Sequence, residues 1–249
     1  MGPDWLDSLK APSNSCNNFS TLNKDTNLKL EKSMQEPLVS AANTLNIWGR
    51  MSSINVKKVV WTAQELGLNF QRTEAGGQFG VVTTPAYMRL NPNATVPVIE
   101  DEDFTLWESN VIVRYLCAKH SPGQLYPTNL RERFAAEQWM DWQQTNLNPV
   151  SRPGFWQLIR TAPEQRNVDV IAESNAAVES LMDVLDAQLG RHAFVAGDHF
   201  TMADIPLGCE VHRWFGLPQQ RQSRPNIERW FQGLAARQTS AGVLDMALS

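Results

Sequence analysis

The chain has 249 residues, 42% of them hydrophobic, and a formal net charge of −4, so it can build one large or two modest domains with real cores and carries no basic excess for holding a nucleic-acid backbone. Three cysteines without C-x-x-C spacing fit a reducing, cytoplasmic setting better than a disulfide scaffold. No apolar run approaches the roughly 18 residues of a membrane span, and an opening with Asp4 and Asp7 and no long apolar core argues against a secretory signal.

Residues 1–43 are rich in Asn, Ser, Thr and Lys and show no apolar periodicity. They read as a disordered extension, with Met34 as an alternative start. Leu45 to Trp48 is a short strand. Ser52 or Ser53 can cap the helix that follows, where Val56, Val59, Val60 and Ala63 recur at helical spacing. Gly67 stops that helix, and Phe70 to Ala75 is a second strand, so the opening reads as a parallel β-α-β crossover. Residues 76–84 form a loop and Tyr87 to Leu90 a helical turn. Val96 to Glu100 and Phe104 to Trp107 form a hairpin, and a helix runs from Glu108 to about His120. The segment from Ser121 to Pro127 is a domain boundary. Beyond it the pattern is helical over Arg131–Gln144, Asn167–Leu189, Ala203–Phe215 and Pro225–Arg237, with a loop-like stretch around Pro153 and Gly154. Val178, Leu181 and Leu185 mark a buried stripe. The fold class expected is an α/β, thioredoxin-like domain over 44–121 followed by an all-α domain over 128–249.

Pro97 cannot donate to a ladder, so it belongs on an edge strand or at a strand's first residues, and an edge strand is the expectation. An edge leaves N–H and C=O groups free to pair with an extended peptide. The helix start at Glu108-Ser109 favours an anion. Together they suit a short acidic peptide with a free α-carboxylate. Thr201 and Asp204 form a capping-box variant, with Phe200 placed to staple onto Ile205. Cys209 and His212 share a helix face, but no second pair completes a zinc site. Gly76 to Gly80 lacks phosphate-loop spacing.

The run Asn91-Pro92-Asn93-Ala94-Thr95-Val96-Pro97-Val98-Ile99, with Glu108-Ser109 after it, resembles the glutathione-binding signature N-P-x-G-x-V-P-x-L plus an E-S pair of the glutathione transferase family. The turn from Gly49 to Val59 resembles the G-R-x-x-S-x-N-V-K-K-V turn of a theta-like, serine-type bacterial subgroup. The likeness runs from about Leu45 to about Arg237. It implies that Ser53 activates the glutathione thiol, with Arg50 and Asn55 as rival or assisting donors. It implies that the Val96 main chain pairs with the cysteinyl part, that Pro97 is cis, that Ser109 holds the γ-glutamyl carboxylate, and that Glu108 faces the ammonium. Gln78 lies in a loop that often reaches the glycyl end in this family. Arg152, Phe155 and Trp156 would face a small hydrophobic or halogenated electrophile, whereas Trp139 and Trp142 read as core. The resemblance further implies glutathione as co-substrate, no metal, a detoxifying role and a homodimer. A glutathione-dependent disulfide reductase or peroxidase, or a non-catalytic binding protein, are the alternatives. One departure stands out: Ala94 occupies the signature's glycine position.

Overall fold

The computed structural model describes residues 44–249, so the expected extension over 1–43 lies outside the described residues. Four short strands form one sheet in the order β2-β1-β3-β4. β1 (Leu45–Trp48) pairs parallel with β2 (Phe70–Thr73) and antiparallel with β3 (Val98–Asp101), and β3 pairs antiparallel with β4 (Phe104–Trp107). Alternation along the strands sends side chains to opposite faces. Ile47 and Ile99 join the main core with Val56 and Val59 of α1 (Ile54–Glu65) and Ile112 and Leu116 of α3 (Ser109–His120). Trp48 and Val98 instead pack with Tyr87 of α2 (Pro85–Leu90).

The edge-strand expectation for the Pro97 segment is overturned. β3 lies between β1 and β4, with partners on both sides. Pro97 is tolerated because it stands just before the strand, where no ladder bond is asked of it.

After α3, α4 (Leu130–Trp142) and α5 (Asn148–Phe155) are joined by a wide π turn over Gln143–Leu147, and a second π turn over Trp156–Arg160 follows. The stretch around Pro153 and Gly154 is therefore helical, not loop-like. The reason is visible at the hydroxyl of Ser174. It accepts the Gly154 N–H at 3.0 Å and donates to the Val150 carbonyl at 2.5 Å. A side chain from α6 (Val168–Leu189) thus bridges backbone groups of the turn that holds Pro153. Gly154 makes room for it, since an added Cβ would lie 2.6 Å from Ser174 Oγ. Along α6 the buried positions are Ser174, Val178, Met182, Leu185 and Leu189, while Leu181 is half-buried.

α7 (Asp204–Gly216) and α8 (Pro225–Ala235) complete the helical part. Asp204 reaches back to the Thr201 N–H at 2.9 Å, as the capping-box pattern requires, and also accepts from Val195 N–H and Trp230 Nε1. Gly208 lets α7 close on α1, because a Cβ there would meet the Trp61 ring at 2.8 Å. Arg237 clamps Glu65 at the end of α1 through two 2.7 Å bonds. Among the described residues, no helix is long and apolar enough to cross a membrane.

Candidate active site

A cleft of about 340 Å³ opens where the β1–α1 turn, the loop after β2, the segment before β3 and α5 meet. Its walls include Arg50, Ser53, Asn55, Val96, Arg152, Phe155 and Trp156. The structure thus brings together seven of the residues singled out by sequence. Gln78 lines an adjoining cavity that shares Arg50, Ser52, Gly77 and Arg160 with the cleft. Pro97, Glu108 and Ser109 do not line the cleft.

The turn is shaped by glycine. Gly49 has φ +146°, and a Cβ on it would meet Val56 Cγ2 at 2.3 Å and Val96 Cβ at 3.2 Å. Only glycine permits the Val96 segment to approach the start of α1 so closely. Arg50 lies flat against Gly76 and Gly77, where an added Cβ would come within 2.9 Å of its guanidinium nitrogens.

Ser53 occupies the position before α1, yet its side chain makes no capping bond. Its backbone alone is engaged, through its N–H to the Arg50 carbonyl at 3.1 Å and its carbonyl from the Lys57 N–H at 3.0 Å. The hydroxyl makes no capping bond and stands at the positive end of a twelve-residue helix. Asn55 lines the same cleft, and its buried Oδ1 has no bond among the described residues.

The Ala94, Thr95 and Val96 wall of the cleft is pinned from behind. Asn91, almost fully buried, receives the Asn93 N–H and donates to the Thr95 carbonyl at 2.9 Å, and the Tyr87 hydroxyl reaches the same carbonyl at 2.8 Å. An asparagine folding back on its own turn is a recognised local signal. The Val96–Pro97 bond is cis, and Ala94 has φ +53°. That position therefore does adopt the left-handed conformation that glycine accepts without penalty. Among the described residues Val96 makes no backbone hydrogen bond, which leaves its main chain open toward the cleft.

Two further points concern α3. Its helix start is preceded by Glu108 at φ 74° and ψ 107°, with the side chain exposed and forming no cap. A non-glycine residue held there costs about 1–3 kcal/mol, a cost usually found where a ligand is gripped. Ser109 behind it is 4% exposed.

Sequence reasoning missed Asn148, Arg160 and Arg213, all of which line the cleft. Arg160 donates to the Ser52 carbonyl at 3.2 Å, and its guanidinium lies 5.4 Å from the Phe155 ring centre. Burial, and then the neighbouring Arg50 and Arg213, hold its pKa below the ordinary guanidinium value. Converging guanidinium groups of this kind favour an anionic ligand. Arg152 and Arg160 are eight residues apart, a spacing that returns to one helix face and could have pointed to Arg160. Arg213 sits on α7, and no local pattern links it to the others.

Comparison with known proteins agrees across nearly the whole described chain. A family model for the glutathione S-transferase N-terminal domain matches residues 43–118, and one for the C-terminal domain matches residues 168–233. The chain is similar to glutathione S-transferase GstB of Escherichia coli, 37% identical over 78% of this chain and 94% of that one. It is also similar to a probable glutathione S-transferase of Oryza sativa, at 26% identity over 81% of this chain and 96% of the other. Among solved structures, the theta class glutathione S-transferase of Xanthomonas axonopodis pv. citri with glutathione bound is 38% identical, covering 83% of this chain and all of that one, with a TM-score of 0.81.

Proposed function

The chain belongs to the glutathione transferase family, and from that premise we propose how its cleft transfers glutathione to a small electrophile. Ser53 donates its hydroxyl hydrogen to the glutathione sulfur, and Arg50 and Asn55 assist. A free thiol of pKa near 8.5 is only about 3% thiolate at pH 7, and lowering that pKa by roughly two units requires about 2.7 kcal/mol of preferential stabilisation. A hydroxyl donor, a helix start and adjacent guanidinium groups each act in that direction. The observation that carries the reading is the uncommitted Ser53 hydroxyl in the same cleft as the unpaired main chain of Val96.

In this reading the cysteinyl part of glutathione pairs with Val96 beside Pro97. Ser109 and its N–H hold the γ-glutamyl carboxylate, Glu108 faces the ammonium, and Arg50 with Gln78 meets the glycyl end. The electrophile enters between Arg152, Phe155 and Trp156. The thiolate forms a C–S bond, the leaving group departs with its electron pair, and the thiol proton goes to solvent. The relative from Xanthomonas axonopodis, whose structure carries bound glutathione, supports the co-substrate. We place the protein in the cytoplasm as a detoxifying homodimer that needs no metal.

Cysteine-based chemistry finds less support. Cys117 and Cys209 are buried, and burial pushes both thiols up to about 12, far from the reactive range. The test is Ser53→Ala, assayed with haloalkane, nitroaryl and epoxide substrates. Turnover should fall at least about tenfold, equivalent to about 1.4 kcal/mol of barrier, while glutathione affinity by calorimetry stays nearly constant. An unchanged rate would move the activating role to Arg50 or Asn55. Glutathione binding without turnover on any substrate would make the protein a carrier.

A further inference from the structure

A chain of buried polar side chains runs beneath the cleft from α1 to α7. Lys58, fully buried, donates to the side-chain oxygens of Asn110 at 3.2 Å and Gln143 at 2.9 Å. The Gln143 amide nitrogen donates to Glu210 Oε2 at 2.9 Å. Glu210 Oε1 accepts from Arg213 Nη1 at 3.1 Å and from the Ser151 hydroxyl. Arg213 reaches the cleft, with its guanidinium 4.7 Å from the centre of the Phe155 ring.

Stability alone gives a poor account of this arrangement. A buried ion pair recovers its desolvation cost only with near-ideal geometry, and apolar residues of similar volume often serve as well. Nor is pairing general here. Of the four arginines lining the cleft, only Arg213 is paired with a side-chain carboxylate among the described residues, while Arg160 bonds the main-chain oxygens of Ser52 and Ser249. Its Nη1 is held by Glu210, and more loosely by Ser151 and Asn148, while Nε and Nη2 carry no bond within the described chain. Gln143 can reach Glu210 because it opens the π turn between α4 and α5, and such turns recur at functional sites. Lys58 comes from α1 and Asn110 from α3, while Gln143, Ser151, Glu210 and Arg213, the residues that hold the guanidinium in place, all come from the helical part.

We propose that Glu210 is a positioning residue for the second substrate: it fixes Arg213 against Phe155, so that the group attached to the glutathione sulfur meets a preset guanidinium and ring. Presetting removes the ordering cost of a long, flexible side chain. Glutamine at position 210 cannot do the same. Its single side-chain oxygen cannot accept from both Gln143 and Arg213 in the present geometry.

This inference rests on the glutathione transferase reading, and the test separates the two. Calorimetry is run on the intact protein with glutathione and with S-(2,4-dinitrophenyl)glutathione, which carries an aryl group where an electrophile would sit. Glu210→Gln should leave glutathione affinity nearly unchanged and weaken the aryl conjugate at least about fivefold. Ser151→Ala, a milder change that serves if Glu210→Gln does not fold, should move the same ratio in the same direction by about twofold. Equal weakening of both ligands, or a lowered melting temperature with both affinities intact, would make Glu210 purely structural and overturn the proposal. If the unaltered protein binds the aryl conjugate but not glutathione, the placement of glutathione fails while the role of Glu210 is still read from the conjugate. If it binds neither, both fall.

Discussion

A serine at the start of a helix ordinarily uses its hydroxyl to satisfy first-turn N–H groups. Ser53 makes no capping bond, which leaves its hydroxyl available for the role proposed above. The motif brought attention to the residue, but only the three-dimensional structure tells a capping serine from an available one. His212 offers a second test at this scale. Burial, with Lys57 nearby, pushes its pKa from 6.5 down to about 4. The folded protein therefore prefers the neutral imidazole, and the unfolded chain takes up the proton first. The stability tied to neutral His212 is complete above pH 6.5 and is lost as the pH falls toward about 4. Melting temperatures measured across that window should fall more steeply for the wild-type protein than for His212→Gln. Parallel curves would show that His212 does not contribute.

The junction of α5 and α6 turns on one hydroxyl shared by two backbone groups. Ser174→Ala should leave the Gly154 N–H and the Val150 carbonyl without that partner, at a cost of about 1–3 kcal/mol. Gly154→Ala should also destabilise, because its new Cβ would strike Ser174 Oγ. The double variant should cost less than the sum, since removing the hydroxyl removes the closest clash. Denaturant unfolding of the four proteins checks this, and strict additivity would refute the bridge. The same junction shows why sequence reading stumbled here. Pro153 and Gly154 are helix breakers by local preference, and the residue that rescues the helix is twenty positions away. Strands, by contrast, were legible from short apolar runs and turn residues. The neighbours of β3 were not, because a proline just outside a strand and one within it look alike in a linear reading.

At the scale of the molecule, the sheet ends in β4, which carries exposed Phe104 and Trp107, while exposed Val111 of α3 and Leu130 and Phe134 of α4 add further apolar surface. Such residues are costly to leave in water when they form a patch, and they are natural contacts for the homodimer proposed above. Light scattering should return the mass of two chains, and Phe134→Glu should shift it toward one. A single-chain mass for the wild-type protein would refute the dimer. The cleft itself is a convergence that no stretch of sequence announces. Arg50 precedes Arg160 and Arg213 by more than a hundred residues in a chain whose net charge is negative, so composition hides the local excess of positive charge. The π turn at Gln143–Leu147 has a consequence for this convergence. An α-helix advances about 100° per residue and a π turn takes up one extra residue, so rewinding these five residues as ordinary helix would rotate everything downstream by roughly that angle. Arg152 and Trp156 would swing away from Ser53 without a single side chain being altered. For the reaction proposed above, the phase of one helix would matter as much as the chemistry it carries.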